Sequence, residues 1–196
     1  MSELPIVTVP SKILRQKARP VTDYGPELQQ LIDNMIETVY AAEGVGLAAP
    51  QVDVPLQLAV IVTLPEVDDE GKEIEGTREL FVITNPEIVW TSRTVVDGIE
   101  GCLSIPGYVG EVERFESIRI RAQDRHGRKI RLRLNDWTAR IFQHEIDHLN
   151  GILYIDRLTG PDRIWSEETF EKIREAKRDA EDGAAESNAQ EPIVAD

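Results

Sequence analysis

A chain of 196 residues, 41% hydrophobic and 30% charged, carries enough apolar side chain for one compact core and too much for a disordered polymer. Acidic residues outnumber basic ones 36 to 22, a net charge of −14, so the chain is not expected to bind free nucleic acid unspecifically. One cysteine rules out an internal disulfide and fits a reducing cytoplasm, and no apolar run reaches membrane-spanning length.

The opening Met1-Ser2-Glu3-Leu4-Pro5 lacks the basic-then-apolar pattern of a secretory signal, and its early acid disfavours a mitochondrial presequence. Leu28, Leu31, Ile32, Met35, Ile36, Val39 and Tyr40 recur at helical spacing and predict a helix over 26–43, with Pro26 in its first turn and Gly44 as its stop. Gly44-Val45-Gly46-Leu47-Ala48-Ala49-Pro50-Gln51 follows, too rich in small residues for a helix surface and suited to close backbone approach. The β-branched runs 56–63 and 80–84 read as buried strands, separated by a polar loop or hairpin over 66–79. Glu100-Gly101-Cys102-Leu103-Ser104 lies in a loop-like stretch ending at Pro106-Gly107. Ile118, Ile120 and Ala122 alternate with charged or polar residues, as do Ile130, Leu132 and Leu134, which predicts an antiparallel hairpin with one wet face. His126 falls in its turn, where a histidine is ordinarily just solvated.

Asn135 or Asp136 caps a helix running to about Leu149, stopped by Asn150-Gly151, with Trp137, Ile141 and Leu149 on its apolar side. A short strand is expected over 152–155, and a second helix from Pro161 to about Asp182, with Ile164, Phe170 and Ile173 as its apolar pattern. The small, acidic remainder, 183–196, is expected to be disordered. The expected organisation is a catalytic domain over 1–160, a C-terminal helix over 161–182 and a tail over 183–196.

His144-Glu145-Ile146-Asp147-His148 carries the chemistry. Histidines four apart share one helix face and can grip a single metal ion, while Glu145, turned partly off that axis, can reach a water at the ion without being a ligand. Two imidazoles leave a tetrahedral site two ligands short. Cys102, the sole thiol, is the candidate third, and the fourth position is open for water. A lone cysteine is more often a small buried hydrophobe, but two histidines and a glutamate in a buried helix need a compensating ion, which favours the ligand reading.

Two protease patterns compete for the helix. One needs a further histidine where this chain has Tyr154; the other takes a glutamate on a following helix, for which Glu168 stands near enough, although Glu167-Glu168-Glu171 reads as a solvated face. Gln51 could bond backbone in its loop or present its amide to a substrate.

In three motifs, in order, the chain resembles the peptide deformylases: Gly44 to Gln51, Glu100 to Ser104 and His144 to His148. Ile13-Leu14-Arg15 to Pro20-Val21 is similar to that family's N-terminal segment, so the likeness covers about the first four-fifths of the chain; the 66–79 loop and the acidic C-terminal extension depart from it. The resemblance implies an α+β fold, antiparallel strands around a central metal-binding helix with a C-terminal helix. It implies hydrolysis of the N-formyl group from the formylmethionine of nascent polypeptides, releasing formate. The implied ligands are Cys102, His144 and His148, with Glu145 moving the proton and the oxyanion received by the Gln51 amide and the Leu103 backbone N–H. Val45, Gly46, Leu103, Trp137 and Ile141 match positions near the substrate. The implied ion is Fe2+, with Zn2+, Ni2+ or Co2+ as alternatives; the implied partners are formylmethionyl nascent peptides and, transiently, the ribosome, with no membrane. A non-catalytic, ribosome-associated relative is the remaining alternative, weakened because Glu145, Gln51 and all three ligand candidates are present.

Overall fold

The computed structural model describes residues 2–65, 67, 68 and 70–188, the stretch 181–188 as backbone alone. In chain order these form α1 (Pro26–Ala41), β1 (Gly46–Ala48), β2 (Leu58–Val62), β3 (Leu80–Thr91), β4 (Val95–Cys102), β5 (Ile105–Phe115), β6 (Ser117–Gln123), β7 (Lys129–Asn135), α2 (Asp136–Leu149), β8 (Ile164–Ser166) and α3 (Glu167–Asn188). The strands make two antiparallel sheets, β1-β2-β3-β6-β7 and β4-β5-β8. This is the α+β architecture expected from the sequence.

The predicted hairpin is β6–β7, paired Ile118↔Leu134, Ile120↔Leu132 and Ala122↔Ile130. Alternation turns all six of these side chains inward, against Ala139, Ile141, Phe142, Ile146 and Leu149 of α2. β2 is buried along its whole length. Its Ala59 and Ile61 join the core under α2, while Leu58, Val60 and Val62 face Leu28, Ile32, Met35 and Val39 of α1. The large sheet is thus covered by α2 on one face and, at its β1–β2 end, by α1 on the other. A third cluster, with Leu14, Ile105, Val112, Leu153 and Tyr154 at its centre, lies beside the small sheet. α2 packs on β1, β2, β6 and β7 of one sheet and β5 of the other, which makes it the central element.

Five expectations are corrected. Glu100 to Cys102 is the end of a strand, β4, and not loop: outward positions such as Val95, Val96, Tyr108 and Phe115 are themselves apolar, so β4 and β5 show no polar alternation. β3 runs to Thr91, past the expected 84, crossing Pro86 at a register shift between Thr84 and Glu87, where a missing ladder N–H is tolerated. Residues Tyr154–Arg157 form a 3-10 turn in place of the short strand. The segment from Pro161 first adds β8 to the small sheet; helix begins only at Glu167 and continues to Asn188, through the alanines that favour it. The rest of the expected tail, 189–196, lies outside the described residues. Finally, the left-handed residue after α1 is Glu43 (φ 52°), not Gly44. Gly44 is needed elsewhere: a Cβ there would sit 3.2 Å from both Leu103 Cδ1 and Val39 Cγ2.

The polar excursion over 66–79 includes a small turn, with a Val67↔Glu73 bridge. His126 is exposed at the β6–β7 turn, as expected. No helix among the described residues is long and apolar enough to cross a membrane.

Candidate metal centre

Three ligand-type atoms converge where α2 passes the end of β4. His144 and His148, one turn apart, bring their Nε2 atoms to 3.2 Å, and Cys102 Sγ lies 3.3 Å from His148 Nε2. The ligand atoms of Cys102, His144 and His148 all fall within 4.8 Å of one another. Two nitrogens bound about 2.0–2.1 Å from one tetrahedral ion stand about 3.3 Å apart, so the spacing suits a shared cation. Direct contact of two imidazole lone pairs would otherwise be repulsive. The donor set of thiolate and imidazole suits zinc, iron or another borderline transition metal.

The elements that aim these atoms are bound together by a buried charge network. Glu100, two residues before Cys102 on β4 and so on the same strand face, accepts from Arg114 Nε and Nη2, each at 2.8 Å, and from Arg140 Nη1 at 3.0 Å. Its Oε2 also lies 2.9 Å from His144 Nδ1, which orients that ring and leaves Nε2 for the site. Burial works against the Glu100 carboxylate, yet Arg114 and His144 outweigh it and hold its pKa down at about 2. Arg114 reaches on to Asp147 of the histidine motif, and Arg157 clamps the same carboxylate from outside. His148 Nδ1, by contrast, is buried with no partner among the described residues.

His144 is raised to about 10, because Cys102 and Glu100 outweigh the burial that opposes its charge; His148 is pushed well below the ordinary histidine range by burial and the nearby His144. One positive charge is therefore wanted between these side chains. A proton can supply it, and a cation that displaces the proton supplies more.

Glu145 is buried, and its Oε2 has no hydrogen-bond partner among the described residues. Burial raises its pKa to about 7, opposed by His144 and assisted by Glu100. Gly46 on β1 makes room for it: a Cβ on Gly46 would fall 2.2 Å from Glu145 Oε1. Here glycine serves close approach, since no side chain fits between β1 and the carboxylate.

Gln51 is also buried. Its Oε1 accepts from the Ala48 N–H at 2.8 Å, while Nε2 donates to Ser104 Oγ at 3.3 Å and toward Cys102 Sγ at 3.6 Å. That amide is fixed beside the cluster. Val45, Gly46, Gln51, Cys102, Leu103, Trp137, Ile141, His144 and Glu145 all line one cavity of about 590 Å3, with His148 one helical turn further along α2. Every residue that the resemblance implied for the site is thus gathered at one place. Glu168, the rival ligand, is not: it pairs with Lys172 at 2.6 Å on the exposed face of α3.

Sequence reasoning missed the work of Glu100, Arg114, Arg140 and Asp147. The signal existed in β5, where Gly110, Val112 and Arg114 alternate onto the buried side, so that Arg114 had to find a buried partner.

The chain matches the model of the polypeptide deformylase family over residues 3–163. It is 49% identical over 159 residues to the peptide deformylase of Symbiobacterium thermophilum, covering 81% of this chain and 68% of that protein. Among solved structures, the Synechococcus elongatus peptide deformylase in complex with actinonin is similar at 39% identity and TM-score 0.71, covering 81% of this chain and 80% of that one. The Acinetobacter baumannii peptide deformylase with bound Met-Ala-Ser is similar at 34% identity and TM-score 0.70, covering 80% of this chain and 98% of that one. Likeness of this extent shows that the chain belongs to the polypeptide deformylase family, metalloenzymes that remove the N-formyl group from nascent peptides.

Proposed function

We propose that Cys102, His144 and His148 hold one divalent ion, ferrous in the cell and replaceable by zinc, nickel or cobalt, and that Glu145 moves the proton in deformylation. The observation that carries this reading is the convergence of the three ligand atoms within 4.8 Å beside a buried, unpartnered carboxylate. A divalent ion bound there supplies Lewis-acid activation of water and of the formyl oxygen. Glu145 takes the proton of the attacking water and delivers it to the departing amine as the C–N bond breaks, since an amine leaves poorly unless protonated. A buried carboxyl with an unpartnered oxygen is placed to take a proton and then to give it up. The Gln51 amide and the Leu103 backbone N–H are assigned to the oxygen that gains charge at the tetrahedral stage. The apolar walls of Val45, Trp137 and Ile141 receive the methionine side chain and the start of the peptide. A formyl group carries hydrogen where any other acyl group carries carbon, so a site closed around the ion admits this smallest acyl group and excludes larger ones.

Residues 1–160 form the catalytic unit in this reading, 161–182 pack on it or extend from it, and 183–196 add nothing to catalysis. The substrates are formylmethionyl nascent peptides in the cytoplasm, met transiently at the ribosome.

The experiment pairs metal analysis of protein purified without oxygen with formate release from a formyl-Met peptide. One equivalent of ion per chain and formate release are expected. Cys102→Ala should lose most of the ion or the activity, and Glu168→Ala neither; the opposite pattern moves the third ligand to α3 and overturns the assignment.

A further inference from the structure

The outward face of β6 and β7 carries Arg119, Arg121, Lys129, Arg131 and Arg133, all exposed. The register sets them directly opposite one another, Arg119↔Arg133 and Arg121↔Arg131, with Lys129 against Gln123. Like charges facing across a ladder destabilise a sheet. In a chain with 36 acidic residues against 22 basic ones, no acid stands at any outward position of these two strands. Among the described residues only Glu87 on β3 reaches in, pairing Arg121 at 3.0 Å. Among the described residues no carboxylate pairs with Lys129, Arg131 or Arg133.

Edge protection does not account for this. β7 is an edge strand, and charge there blocks strand addition, but acids would serve equally and β6 is interior. The face also holds Trp90, 44% exposed, with the Arg119 guanidinium 4.9 Å from its ring centroid. A basic sheet face with an exposed aromatic combines phosphate contact with a base-stacking surface. The backbone attachment points of these cations, about 4.8 Å apart across the strands and about 6.8 Å apart along them, form a continuous strip.

We propose that this face docks onto the phosphate backbone of structured RNA. The net charge of −14 argued against nucleic acid for the molecule as a whole. Charges beyond about 10 Å are largely screened at about 0.1 M salt, so the local strip governs close contact. The placement leaves the catalytic cavity free: inward residues of the same two strands pack on α2, so docked RNA and the metal cluster lie on opposite sides of the sheet. The proposal does not depend on the assignment of the metal ligands.

The test is titration of the full chain with a labelled stem-loop RNA at about 50 and 200 mM salt. Five phosphate contacts predict about a 500-fold loss of affinity over that range; Arg131→Gln with Arg133→Gln leaves three, weakening binding and reducing the loss to about 40-fold. Formate release from a short formyl peptide should be unchanged in the variant, which reports that it is folded. Should that pair fail to fold, Arg119→Gln with Arg121→Gln makes the same test on the interior strand. No binding at the lower salt, or binding indifferent to both pairs, overturns the proposal. So does equal competition by polyglutamate, preference for phosphatidylserine vesicles over RNA, or salt-sensitive dimerisation that the substitutions abolish.

Discussion

Glu145 holds a carboxylate whose Oε2 meets no donor among the described residues, against a strand that has a glycine where any side chain would collide with it. Burial raises its pKa from 4.5 to about 7, so in metal-free protein the folded state binds this proton more tightly than the unfolded chain does. The sign follows: the group is neutral in both states below about pH 4, and above that the folded state is progressively penalised until the pH passes 7. Glu145→Gln removes the titration. The metal-free variant should therefore gain stability relative to the parent as the pH rises from 4.5 to 7, by a few kcal/mol at order of magnitude, read from urea unfolding at several pH values. Loaded with metal, the same variant should keep its ion and lose about 10²–10⁴-fold in turnover, because an amide fits the space but cannot take the proton. A variant with metal bound and near-normal formate release would remove Glu145 from the mechanism.

At the scale of elements, the site is made by three pieces of chain held at fixed spacing: the end of β4, the C-terminal half of α2 and the turn after β1. Arg114 on β5 joins two of them, since one guanidinium bonds Glu100 on β4 and Asp147 on α2. Arg114→Met should be severe, about 3–5 kcal/mol by denaturant unfolding, because it strands buried carboxylates without a counter-charge. It should also weaken metal retention, since Glu100 orients His144. The ligand helix was legible because its histidines, its apolar side and its Asn150-Gly151 stop agree, and the β6–β7 hairpin because one face is wet and the other dry. β4 and β5 were not legible. Their exposed positions include Val95, Val96 and Tyr108, and their buried ones include Glu100 and Arg114, which inverts the usual contrast on both faces. Gathering Gln51, Cys102 and His148 in one place rests on contacts far apart in sequence, and periodicity cannot report those.

Over the whole molecule, the two sheets, α1 and α2 carry the packing, and the distal part of α3 adds little. From Arg174 to residue 180 the side chains of α3 are exposed, whereas Phe170 still meets Trp165 with ring centroids 5.8 Å apart. Removing residues 183–196 should leave the thermal midpoint and peptide turnover unaltered, while a cut before Phe170 should lower the midpoint; a marked fall from the shorter deletion would show that the tail packs on the domain. The N-terminal segment behaves differently. The Val7 N–H donates to the Gln51 carbonyl at 2.8 Å and the Val9 N–H to the Ser104 carbonyl at 3.0 Å, so the earliest residues of the chain brace both backbones that flank the cluster. During synthesis those residues leave the ribosome long before the partners that complete the centre, the last of which is His148. With the proposed ligands, a growing copy of this protein has no working site until most of it has been translated, and any processing it needs before then falls to finished molecules already present in the cell.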